Sequence, residues 1–337
     1  MQNIGDFMKN SLYVYQNVEL KRKDNTLQFF TVDGEKRDIP INMISEIYLF
    51  GEVSINSKLI DFLSHNDIIV HFFNYYDFYS ASLMPKKSKV SGKVTVKQAQ
   101  FYLDDEKRLQ LAMKFVEGAG KNIYRNLRYY NGRGKDLEDY MNEVNYYLKN
   151  LDKARDVPEL MGMEGNIHKT YYKSWSTIIN QEIDFEKRVK RPPDNIVNTL
   201  ISYLNSLVYT TVLGEIYKTQ LDPTISFLHE PGDRRYSLSL DIAEIFKPLI
   251  ADRLIFSLLN KNQIQDKHFS QELNYLYMKE SGSKIILQEY NKTLQRTINH
   301  KDLTRNVSYR YLIRLECYKL IKHLIGEKEY EPFIIWW

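Results

Sequence analysis

The spacing of apolar residues changes character after Leu83. Before it, apolar positions alternate with polar ones or form short continuous runs, the patterns of half-buried and buried strands. Residues 11–18 alternate weakly, Asp24-Asn25 marks a turn before 27–32, and Asp33-Gly34 marks another before 37–41. The runs 44–50, 68–73 and 78–83 predict further strands. Between them, Leu59, Ile60 and Leu63 follow a helical spacing over 56–65, with Asn56 or Ser57 as the cap. Residues 85–93, rich in lysine and breakers, predict a linker. Helical spacing then dominates, over 94–117, 120–130, 136–150, 166–180, 193–218, 237–257, 283–296 and 309–325. The expected fold class is α+β: a small, mainly β domain over 1–84, the linker, and an all-helical catalytic domain over 94–337. The closing Glu331-Pro-Phe-Ile-Ile-Trp-Trp is apolar enough to pack back onto the domain or a partner.

Composition narrows this picture. With 337 residues and 43% hydrophobic content the chain can bury two cores. No run of eighteen apolar residues occurs, so no membrane association is expected. The start lacks a secretory pattern, and the single Cys317 suits a reducing, cytoplasmic setting. Net charge is only +4, but basic residues cluster. Residues 284–328 hold ten Lys or Arg against four acids, and further clusters lie at Lys86–Lys97 and Lys187–Arg191. Such clusters favour a polyanionic substrate and offer Arg188, Arg191, Arg305, Arg310 and Arg314 as DNA contacts.

Candidate chemistry centres on carboxylates and imidazoles. Glu164 lies between Gly162 and Gly165, which leave room for a ligand or DNA strand, although a helix-start carboxylate fits the same pattern. His168 follows four residues later as a rival ligand. His229 lies at the edge of a turn-rich loop, where it suits either a metal ligand or a hydrogen-bonded surface residue. Asp241 and Glu244 are three apart on one helical face, with Lys247 further along it to neutralise a carboxylate or grip a phosphate. An exposed acidic face with an internal Glu–Lys pair has the same spacing. Convergence of Glu164, His229, Asp241 and Glu244 would hold Mg²⁺ or Mn²⁺, for chemistry on phosphate esters. No Walker loop, dinucleotide glycine pattern, Gly-x-Ser-x-Gly elbow or multi-thiolate zinc site is present.

The blocks Leu160-Met-Gly-Met-Glu-Gly-Asn, Arg191-Pro-Pro-Asp-Asn-Ile-Val-Asn, Leu221-Asp-Pro with Phe227-Leu-His, and Ser237-Leu-Ser-Leu-Asp-Ile-Ala-Glu-Ile-Phe-Lys-Pro occur in that order. Together they resemble the CRISPR-associated adaptation integrases, the "Cas-one" family, and the likeness extends to Tyr330-Glu-Pro-Phe. The resemblance implies one metal site per subunit, held by Glu164, His229 and Glu244, with Asp241 as accompanying acid and Lys247 as a basic residue contacting DNA. It implies insertion of short foreign DNA into a CRISPR array by 3′-hydroxyl attack on repeat phosphodiesters. Its implied partners are double-stranded protospacer and repeat DNA, a second copy of the chain, a small ferredoxin-like protein bridging two dimers, and an accessory trimming nuclease. A stand-alone metal-dependent nuclease for branched DNA or repair intermediates is the alternative. Gly118-Ala-Gly-Lys-Asn-Ile-Tyr-Arg-Asn matches the family's Lys- and Asn-rich helix only loosely, which leaves DNA contacts there open.

Overall fold

The computed structural model describes every residue except 1–9, 32–33, 75–77, 87–88, 183–184, 186, 190–192, 233–235 and 273–274. The expected features at Asp33, Lys87, Lys190, Arg191 and Pro192 therefore lie outside the described residues. The chain forms two compact units, 1–88 and 89–337.

The described residues of the first unit form two four-stranded sheets and one α-helix. One sheet joins β1 (Asn10–Val14), β5 (Ile44–Leu49), β7 (Ile69–Phe73) and β8 (Tyr79–Leu83) in that order. The other has the order β4-β3-β2-β6, from β2 (Val18–Lys23), β3 (Thr26–Thr31), β4 (Lys36–Pro40) and β6 (Val53–Ser54). The β2–β3 hairpin pairs Lys23 with Thr26, and Asp24 takes the left-handed φ of 50° that so short a turn requires. Parallel pairing of β5 with β7 needs a crossover, supplied by α1 (Ser57–His65). The Asn56 side chain accepts from the Leu59 N–H at 3.0 Å and so caps α1. Leu59, Phe62 and Leu63 then join Leu20, Leu27, Ile47 and Val70 in the core.

The second unit is mostly helical: α2 (Gly92–Leu103), α3 (Asp105–Asn131), α4 (Glu138–Lys149), α5 (Val157–Ile178), α6 (Ile196–Tyr217), α7 (Ser237–Lys247), α8 (Arg253–Asn260), α9 (Glu280–Gln295) and α10 (Tyr309–Leu324). It is not all-helical as expected. Two antiparallel ribbons interrupt it, β9 (Phe269–Glu272) with β10 (Tyr275–Met278) and β11 (Thr297–His300) with β12 (Arg305–Ser308). Four-residue strands carry too short a pattern to stand out among helices.

Helix α6 is largely apolar and long enough to cross a bilayer, but 78% of its apolar window is buried inside the unit, the position of a core helix. Helix α3 runs through the glycines at 118 and 120, where the sequence predicted a break. A Cβ on Gly118 would meet Pro332 Cβ at 2.7 Å, so the missing side chain lets the C-terminal tail lie against α3. Asn122 holds that tail: its Nδ2 donates to Phe333 O at 3.0 Å and to Ile245 O at 2.9 Å, while Oδ1 accepts from the Ile335 N–H at 2.8 Å. One turn on, Asn126 Nδ2 donates to Pro248 O at 2.8 Å, and its Oδ1 accepts from Arg253 Nε at 2.7 Å. The buried asparagines of this stretch thus fasten α7 and its continuation. Pro248 begins a five-residue π-helical segment, Pro248–Asp252, between α7 and α8.

Candidate metal centre

Helices α5 and α7 supply most of the site. Asp156 caps α5 by accepting from the Glu159 N–H at 2.8 Å, and Pro158 lies in its first turn. The helix therefore starts before the predicted 166, and Glu164 is an interior residue, not one in the first turn. A Cβ on Gly162 or Gly165 would meet nothing within 4 Å, so the flanks of Glu164 are open. His168, one turn on, shares its face, and its Nε2 lies 3.0 Å from Glu164 Oε1.

On α7 the spacing of three puts Asp241, Glu244 and Lys247 along one side, and all three are buried rather than forming an exposed acidic face. Lys247 pairs with Glu244 Oε1 and lies 4.8 Å from the centre of the Tyr209 ring. Glu244 Oε2 has no hydrogen-bond partner, with His168 Nε2 at 3.4 Å. Among the described residues, Glu164, His168 and Glu244 bring their ligand atoms within 4.8 Å of one another.

His229 is not in that set. It lies on the connection between α6 and α7, and Asp241 fixes that connection from inside. Asp241 is fully buried; its Oδ2 accepts from the N–H groups of Phe227 at 2.7 Å and Leu228 at 3.0 Å, and its Oδ1 from that of His229 at 3.0 Å. The same Oδ1 lies 2.9 Å from His229 Nδ1. A carboxylate only accepts, so Nδ1 carries the proton, and in the neutral ring Nε2 keeps its lone pair for a ligand. Asp241 is thus a positioning group for the histidine and its loop.

The electrostatics couple these groups. Burial alone would lower the His168 pKa, but the Glu164 and Glu244 carboxylates outweigh it and push it up to about 10. Burial opposes ionisation of Glu244, yet Lys247 and His168 hold its pKa well below the usual range. Lys247 is held above its usual range despite burial, chiefly by Glu244. His229 is also raised: burial works against its charge and the Asp241 bond outweighs that. Asp252, buried behind the site, is pushed up to about 7 by desolvation.

A profile of the family described as CRISPR associated protein Cas1 matches residues 12–292. The chain belongs to this family. Among the relatives of this Cas1-family chain is the CRISPR-associated endonuclease Cas1 of Fusobacterium nucleatum, 58% identical over 333 residues that cover 99% of this chain and 98% of that one. A solved Cas1 protein from Thermotoga maritima superposes with a TM-score of 0.85 at 40% identity, covering 96% and 99% of the two chains. A casposase bound to integration product shares the fold at a TM-score of 0.86 and 23% identity, over 96% of this chain and 93% of that one. Of the residues the sequence singled out, Glu164 and Glu244 meet in this Cas1 scaffold, Asp241 and Lys247 lie on the same helix as Glu244, and His168, offered only as a rival, joins the pair. The sequence pattern gave no sign of Tyr209, one of many apolar and aromatic positions along a largely apolar helix.

The arginines expected on DNA divide differently. Arg188 donates through Nη1 to Asn198 Oδ1 at 3.0 Å and through Nη2 to Ser202 Oγ at 2.8 Å, within its own unit. Arg310 and Arg314 direct Nε to the buried Glu215, at 3.1 and 2.7 Å. Arg305 is exposed and lies over Tyr311 at 5.5 Å, while Arg191 lies outside the described residues. Charge clusters along the sequence do not reveal acidic partners so far away in it.

Proposed function

We propose that this chain is a metal-dependent DNA integrase and endonuclease of CRISPR adaptation, whose divalent ion is held by Glu164, Glu244 and His229. The observation that carries this reading is the meeting of α5 and α7 carboxylates in a partly buried site, with one oxygen of Glu244 lacking a hydrogen-bond partner. Two carboxylates with an imidazole nitrogen suit Mg²⁺ or Mn²⁺. His229 is the better imidazole because Asp241 orients it with Nε2 free, whereas His168 Nε2 already faces both carboxylates. When bound, the ion supplies charge stabilisation at a phosphoryl oxygen and lowers the pKa of an attacking oxygen.

The chain's own groups do the rest. Lys247 keeps Glu244 ionised, and Asp241 holds the histidine tautomer. His168 balances the carboxylate pair until a cation takes that role. In the joining reaction the 3′-oxygen of incoming DNA forms a new bond to a repeat phosphorus as the bond to the preceding 3′-oxygen breaks. One phosphodiester replaces another, so no ATP is consumed, and water in place of the 3′-hydroxyl gives cleavage. The partners in this reading are protospacer and repeat DNA, a second copy of the chain, and a small ferredoxin-like protein bridging two dimers. An accessory nuclease trims the DNA ends.

Purified protein, its small partner, a supercoiled array plasmid and a short duplex with free 3′-hydroxyls test this with Mg²⁺ and with Mn²⁺. Joined products are expected, and Glu164→Ala and His229→Ala should abolish them while DNA binding persists. Cutting without joining would favour the stand-alone nuclease, and normal joining by either variant would refute the ligand assignment.

A further inference from the structure

The loop that carries His229 is held from a second direction, by groups with no part in the site described above. Arg108, near the start of α3, donates through Nε to Phe227 O at 3.0 Å and through Nη2 to Glu230 Oε1 at 2.6 Å. One guanidinium therefore grips the chain on both sides of His229. Tyr102, near the end of α2, donates its hydroxyl to the other carboxylate oxygen, Glu230 Oε2, at 2.8 Å. The Arg108 guanidinium also lies over the Tyr102 ring, 4.4 Å from its centre. Gln98, one turn earlier on α2, anchors the entry to the same loop: its Nε2 donates to Asp222 O at 3.0 Å and its Oε1 accepts from the Asp222 N–H at 2.8 Å.

The exposures of the pair are unequal. The Arg108 side chain is 13% exposed and that of Glu230 is 69% exposed. A carboxylate so open to water contributes little to folding stability. Yet both its oxygens are occupied, and the bidentate use of one planar guanidinium fixes direction as well as distance. Asp241 fixes the inner edge of the loop and Arg108 the outer edge. Asp241 holds the imidazole at Nδ1, and Arg108 holds the chain before and after it.

We propose that Arg108, Tyr102 and Glu230 form a positioning latch for His229, setting how well its Nε2 meets a divalent ion. The proposal rests on His229 being a metal ligand, the reading given above. None of the three touches the ion; they act on the loop through the Phe227 carbonyl and the Glu230 side chain. Loss of the latch lets the loop drift, weakening metal binding while leaving the fold and the DNA-binding surface in place.

The test is Mn²⁺ titration of the full-length protein by calorimetry, without DNA, alongside thermal melts and DNA-binding measurements in EDTA. Glu230→Ala, at an exposed position, should weaken Mn²⁺ binding by about tenfold, as supporting groups around metal ligands do. Its melting temperature and DNA affinity should stay at the wild-type values. Arg108→Lys keeps the charge but cannot grip both groups, and should weaken binding similarly. The double variant should be no worse than the poorer single one, because both remove the same latch. His229→Ala is the control. If His229→Ala weakens Mn²⁺ binding and Glu230→Ala and Arg108→Lys do not, the latch is refuted and the ligand assignment stands. If His229→Ala has no effect, the assignment itself fails and the latch with it. Additive losses in the double variant also overturn the proposal.

Discussion

Two buried glutamates of the helical unit, Glu215 and Glu244, show what separates a structural ion cluster from a site. Glu215, on α6, is fully buried and surrounded by cations: Lys218 Nζ at 2.9 Å, Arg310 Nε at 3.1 Å and Arg314 Nε at 2.7 Å. Both its oxygens are used by these cations, which outnumber the single carboxylate. Glu244 is almost as buried, but it shares His168 with a second carboxylate, Glu164, and keeps an oxygen without a hydrogen-bond partner. Like charges brought close inside a protein raise its energy unless something arrives to separate them. The first arrangement joins α6 to α10; the second leaves room for a cation.

The largest expected effect lies on the structural side of this contrast. Glu215→Ala leaves Arg310 and Arg314 facing an empty space, and should cost about 3–5 kcal/mol of stability in urea unfolding. Activity measured well below the melting range should survive. Next comes Glu164→Gln, which should lower DNA cleavage and joining by about a hundredfold or more with only a small change in unfolding midpoint. Equal stability losses in the two variants would erase the contrast.

Asp241→Asn should be milder. It keeps one oxygen for the loop amides but weakens the hold on His229 Nδ1, so Mn²⁺ affinity should fall by about tenfold in direct titration. The smallest effect concerns Asp252. Desolvation raises its folded-state pKa from 3.8 to about 7. Its contribution to stability is therefore complete below pH 3.8 and is lost as pH rises through about 7. In EDTA, Asp252→Asn should reduce the fall in stability between pH 5 and pH 8 by on the order of 1–2 kcal/mol, measured by urea unfolding. An unchanged pH profile would show that Asp252 ionises normally in the folded chain.

Six of the eight described strands of the first unit were legible, because apolar alternation and turn residues such as Asp24 coincide there, whereas β2 and β6 were not expected. The α7 face was legible too, since Asp241, Glu244 and Lys247 repeat at helical spacing. The start of α5 was placed late, at 166, although Asp156-Val-Pro-Glu carries a cap signal ahead of Gly162 and Gly165. The work of Asp241 was not legible, because its partners are backbone N–H groups that leave no mark on composition. Nor was the commitment of Arg310 and Arg314 to Glu215, whose carboxylate belongs to a helix far back in the chain. Local pattern reports which face a residue takes; it does not report which distant group it meets.

The most direct test is anomalous diffraction from crystals soaked in Mn²⁺. The predicted result is one strong peak within bonding distance of Glu164, Glu244 and the Nε2 of His229. A peak bonded by His168 with His229 turned away, or a peak remote from α5 and α7, would contradict the account.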